Sequence, residues 1–210
     1  SEAEEHEVAP GGTFSVSAIG SSLLDDGYTL WAFKHNTTTT GAFDIYKSTN
    51  ATAAEASVSW TTVLTSFSGQ LRDRGYFFDR DGDSQIVVLT ETALYWLDQT
   101  NSILNKILDL PFAGRALARQ GDELLIIMDG FRVLAIKASG AKRDISPGGT
   151  AGMPSGKDFG IDSGAVACVA DSSGSPYVFY SGDTISGDDR ALILQYRGDG
   201  WHYIYRWNAA

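Results

Sequence analysis

Asp79, Asp81 and Asp83 stand at alternate positions of the turn Asp79-Arg80-Asp81-Gly82-Asp83. Calcium takes roughly six to eight hard oxygen ligands, and a turn with acids at its first, third and fifth positions can wrap the ion. Ser84 occupies the sixth position of this turn, and Thr90 stands where an EF-hand carries its closing glutamate. Two readings are therefore open: a calcium site on Asp79, Asp81 and Asp83, or a solvated turn with no cofactor. A second constellation closes the chain, in Gly200-Trp201-His202-Tyr203-Ile204-Tyr205-Arg206-Trp207. Trp201, Tyr203, Tyr205 and Trp207 recur with period two, so a strand here presents one aromatic face. Aromatic rings stack on the apolar faces of sugars, which makes Trp201, Tyr203 and Trp207 candidate ligand residues, with Arg197 or Arg206 as polar partners. The competing reading is that these rings fill the wedge between sheets.

Templates for catalysis are not met. His6, His35 and His202 are scattered, and no two histidines have the spacing of a helical metal pair. A Gly-x-Ser-x-Gly nucleophile elbow is missing. Gly152-Met153-Pro154-Ser155-Gly156-Lys157-Asp158 is one residue too short for a phosphate loop and ends in Asp where Ser or Thr would bind magnesium. Cys168 is the single cysteine and lies in the apolar run Ala165–Ala170, so it reads as a small core side chain and no disulfide can form within the chain. No paired acids stand out, and the expectation is a protein that is not an enzyme.

The elements that must position these residues are short strands. A Gly/Asp-rich turn, an apolar run, a second turn and a second apolar run recur along the chain. Gln120-Gly121-Asp122 leads into Leu124–Met128 and then Arg132–Ile136; Asp79–Asp83 leads into Ile86–Leu89 and then Ala93–Leu97. Asp171–Gly174 and Asp25–Gly27 open looser copies. Repeats of a few tens of residues made of strands predict an all-β fold, a small or partial β-propeller of about four blades, with a β-sandwich as the alternative. The units span about 13–67, 70–111, 114–146 and 164–207, within one domain over 13–210. Residues 1–12 form an acidic arm. The Leu124–Met128 run has no polar alternation, which predicts a strand buried on both faces.

With 26 acidic and 16 basic residues the net charge is −10. That sign disfavours nucleic acid as a partner. No apolar run approaches the roughly 20 residues that span a bilayer, so no membrane insertion is expected.

Asp79–Asp83 followed by Ile86–Leu89 resembles the calcium loops of FG-GAP and VCBS propeller repeats, and the resemblance implies Asp79, Asp81 and Asp83 as ligands. Ser48 and Trp60, with Asn50 in place of the aspartate, resemble a BNR (Asp-box) repeat of sialidase-like propellers, which implies blade geometry. Gly69-Gln70-Leu71, Tyr76-Phe77-Phe78 and Trp96-Leu97-Asp98 are similar to propeller regions of phage tail proteins. That likeness implies a non-catalytic structural or assembly module of a virion tail or other extracellular assembly, with protein subunits, other copies of the chain included, as partners. The alternatives are a glycan-binding, lectin-like propeller and a sialidase-like glycoside hydrolase.

Overall fold

The computed structural model describes residues 21–25, 29–48, 60–78, 84–129, 132–146, 166–170, 177–183, 189–197 and 200–208, with 21–25, 78 and the stretches from residue 166 described by backbone alone except at Gln195. All regular elements among them are strands. The first sheet holds β1 (Ser21–Asp25), β2 (Leu30–His35), β3 (Ala42–Ser48) and β4 (Trp60–Ser68). The second holds β5 (Leu71–Phe78), β6 (Ser84–Thr90), β7 (Ala93–Asp98) and β8 (Ile103–Asp109). The third holds β9 (Gly114–Gln120), β10 (Glu123–Met128), β11 (Arg132–Lys137) and β12 (Lys142–Asp144). The fourth holds β13 (Val166–Ala170), β14 (Tyr177–Asp183), β15 (Asp189–Arg197) and β16 (Gly200–Asn208). In every sheet the strands lie side by side in chain order. Successive four-stranded meanders are the blades of a β-propeller, as the repeats predict, whereas a sandwich would have merged the strands into two sheets.

Turn chemistry sets the meanders. Gly121 and Asp122 form a two-residue hairpin between the paired Gln120 and Glu123, with Gly121 at φ +56°. Positive φ at the first central residue is the requirement of a type II′ turn, and glycine meets it without steric cost. Between β2 and β3 the Asn36 side chain replaces backbone partners: its Oδ1 accepts the amides of Thr38 (2.9 Å) and Thr39 (2.8 Å). Asp98 does the same between β7 and β8, accepting from the Thr100 and Asn101 amides at 3.0 Å each.

The chain divides into two compact units, of which the first comprises residues 1–71 and 98–104. In the first sheet Trp31, Phe33, Phe43 and Ile45 are fully buried. Asp44 is only 8% exposed among them. Its carboxylate accepts from Asn36 Nδ2 at 3.0 Å and from the Ser66 amide at 2.7 Å. Ser66 has φ +50° where the β3–β4 register shifts, so Asp44 satisfies a strained bulge that the ladder leaves open. Burial, the Asp44 charge and the hydrogen bond to Asp44 together hold the Tyr46 hydroxyl above its ordinary pKa.

The second unit packs blade on blade. Val87 pairs with Trp96 and Leu89 with Leu94, placing these four on one face of the second sheet. Leu124 pairs with Ile136 and Ile126 with Leu134 on the facing side of the third. Phe77, Val87, Leu89, Leu94 and Leu108 meet Leu124, Ile126, Met128 and Ile136 in one apolar core. The other face of β10, with Leu125 and Ile127, is also buried, and Ala116, Ala118 and Ala135 lie beside it. Thus Leu124–Met128 is covered on both sides, and β9 and β10 run next to β13. The Asp73 carboxylate on β5 accepts the Leu117 amide of β9 at 2.7 Å, tying the first strands of two blades. Where the chain crosses between these sheets, the Leu110 amide reaches Thr92 O and the Gly114 amide reaches Glu91 O, both at 2.8 Å.

Candidate functional site

Between the second and third sheets, beyond the shared core, a cleft of about 500 Å³ opens. Its walls are Phe77, Val87, Leu94, Trp96 and Ile107 of the second sheet and Ile136 and Ala138 of the third. The cavity follows from a mismatch of side-chain volume. On the second sheet the apolar face carries the large rings of Phe77 and Trp96. Opposite them, the β11–β12 turn offers Ala138 and Gly140, which cannot fill the wedge. Gly140 sits at φ +84° and its amide donates to Lys137 O at 2.8 Å, so the turn needs a residue without Cβ here.

Polar groups stand among the apolar walls: Gln85, Lys106 and Lys137. Lys106 Nζ donates to Asp109 at 3.0 Å, and Lys137 Nζ donates to Asp122 at 3.0 Å. Both lysine side chains are about half exposed, at 51% and 46%. The hydrogen bond to Asp109, then its charge, raises the Lys106 pKa; the Lys137 hydrogen bond and charge lower that of Asp122. Ion pairs this exposed are screened by water and contribute little, so either ammonium can turn to a better partner at little cost. An aromatic wall, an apolar floor and a few convergent donors are the composition of a small-molecule site, and the volume falls in the usual range of about 300–1,000 Å³.

At the crossover into β9, charges alternate instead. Arg72 pairs with Glu91 at 3.3 Å. Arg115 grips Asp129 with two bonds of 2.6 and 2.7 Å, and this hydrogen bonding raises the Arg115 pKa further. Arg115–Asp129 closes the ends of β9 and β10 and reads as a structural clamp.

The residues singled out from sequence fall elsewhere. Trp201, Tyr203, Arg206 and Trp207 are on β16, and Arg197 ends β15, where it pairs with Gly200. Trp201 and Tyr203 pair with Tyr196 and Leu194, whereas Tyr205 and Trp207 pair with Ile193 and Ala191. The register shifts between Ile193 and Leu194, so the two aromatic pairs change parity relative to β15. Simple alternation along β16 is therefore interrupted at Ile204. Asp79, Asp81 and Asp83 lie outside the described residues. Among the described residues no group of three His, Cys, Asp or Glu could hold a metal ion, and no helix is long and apolar enough to cross a membrane. Sequence reasoning passed over the cleft because Trp96 reads as one more strand aromatic, and Lys106 and Lys137 carry no motif. Trp96 and Lys137 belong to adjacent repeats, and that was the available signal.

No protein-family model and no curated protein matches the chain. Solved structures do. An exo-β-1,3-galactanase from Phanerochaete chrysosporium, with β-1,3-galactotriose, aligns at TM-score 0.50 and 10% identity over 90% of this chain and 49% of that one. A Bifidobacterium bifidum protein assigned as an exo-β-1,3-galactanase aligns at 0.50 and 11% over 88% and 70%. The N-terminal domain of Nup159 aligns at 0.49 and 10% over 90% and 44%. The chain spans about half the length of the first and the last of these. At such identities the likeness is one of fold, and that fold is a β-propeller. The expectation of a non-catalytic structural module, and of a protein that is not an enzyme, is corrected here. It rested on the missing catalytic motifs and on the likeness to phage tail propellers, and the propellers that this backbone matches at TM-score 0.50 include a glycoside hydrolase.

Proposed function

We propose that this chain is a glycan-binding β-propeller that shares its fold with glycoside hydrolases, and that it holds its saccharide in the cleft between the second and third sheets. The observation that carries the reading is the cleft itself, where Trp96 offers a ring to the C–H face of a pyranose and Gln85, Lys106 and Lys137 supply hydrogen bonds. The fold shared with galactanases makes β-1,3-galacto-oligosaccharides the first probes to use. The test is a glycan array read with the protein and with Trp96→Ala, alongside product analysis after incubation with β-1,3-galactotriose. Saturable glycan binding that weakens about tenfold or more on losing the ring is expected, since stacking and apolar contact of an aromatic amount to a few kcal/mol. Glycan binding that Trp96→Ala leaves unchanged would place the site elsewhere, and a blank array with no hydrolysis would remove the reading.

A further inference from the structure

We infer that the saccharide taken by this cleft is an acidic one, bearing a carboxylate or sulfate; this rests on the glycan reading above. The argument is local charge. The chain as a whole carries −10, yet the described residues lining the cleft include two lysines and no carboxylate. Lys106 belongs to β8 and Lys137 ends β11, so the two lysines line the cleft from different sheets. Each is held by an acid that is itself outside the lining, Asp109 for Lys106 and Asp122 for Lys137. Both acids are 75% exposed, so water solvates them readily when the lysine leaves. A ligand anion entering the cleft exchanges two weak, solvent-screened pairs for charge-assisted bonds beside apolar walls, where water competes less.

The rest of the lining fits the other end of such a ligand. Val87, Leu94, Ile136 and Ala138 offer no hydrogen-bonding side chain, so they suit the C–H face of the ring or an acyl methyl. A neutral sugar can lay the same C–H face on these walls but brings no charge to the lysines. An acidic sugar aims its charge at the lysines and its apolar face at Trp96.

Matched pairs differing in the acid test this: galacturonic acid against galactose, and 3′-sialyllactose against lactose, titrated calorimetrically and followed by tryptophan fluorescence. The variants are Lys106→Ala/Lys137→Ala and, as a charge-matched control on the first sheet, Lys34→Ala/Lys47→Ala. Circular dichroism verifies that each is folded. The acidic member of at least one pair should bind about tenfold or more tighter than its neutral partner, and added salt should erode that preference. Lys106→Ala/Lys137→Ala should abolish the preference, and the control should keep it. Equal binding of acidic and neutral members overturns the inference while the glycan reading stands. Preference that survives in Lys106→Ala/Lys137→Ala also overturns it. Binding of neither member of either pair, with no glycan retained on an array, overturns both.

Discussion

Gly114 opens β9 where it meets the second sheet, and Gly114→Ala measures how tightly the two are packed. A Cβ built at this position would lie 2.8 Å from Thr90 O, 2.9 Å from Leu110 Cδ1 and 3.0 Å from Leu89 Cδ1. The leucine methyls can rotate away, but the carbonyl is backbone and cannot. Retreat of β9 is opposed as well, because the Gly114 amide is bonded to Glu91 O at 2.8 Å and Asp129 N to Ala113 O at 2.9 Å. Forcing an extra methyl into a packed site costs about 1–3 kcal/mol. Restricting the unfolded chain returns about 0.4–1 kcal/mol. The net is a loss of about 1–2 kcal/mol. With a urea slope of about 2 kcal/mol/M, the unfolding midpoint should fall by about 0.5–1 M. Gly75→Ala is the matched control: nothing lies within 4 Å of its added Cβ. Only the entropic term acts there, so its midpoint should hold or rise slightly. A Gly114→Ala midpoint equal to or above that of Gly75→Ala would refute the steric reasoning.

Asp73→Ala leaves the Leu117 amide without its acceptor between two blades, and stability should fall by about 1–3 kcal/mol in the same urea assay. Asp144 has its pKa lowered, first by the Ser146 hydroxyl, then by the Ser146 amide and Arg132, and Asp122 is lowered by Lys137. A carboxylate whose folded pKa lies below its unfolded value stabilises the fold above the unfolded pKa, near 4, and loses that contribution as pH falls through the folded one. The urea midpoint should therefore drop between pH 5 and about pH 2, and Asp144→Asn should flatten part of that slope; an identical slope would contradict it.

Strand identity was legible because it is a local property. Gly121-Asp122 announces a tight hairpin by residue type alone, and Leu124–Met128 announces burial on both faces by lacking polar alternation; both are found as read. The aromatic stripe of β16 was legible only as an alternation. The register shift opposite Ile193 and Leu194 interrupts it, and a bulge depends on the partner strand as much as on the strand itself. Function was the least legible, since a propeller backbone accommodates scaffolds and hydrolases alike.

Period-two patterning, turn residues and repeat length are written along the chain, so the amino-acid order alone determined an all-β architecture of about four repeated units. The cleft depends on residues distant in the chain: Trp96 and Lys106 line it together with Lys137, Ala138 and Gly140. Only the packing of the second sheet against the third decided that volume would be missing there. A void arises from the difference between two facing surfaces, and neither surface carries it in its own sequence.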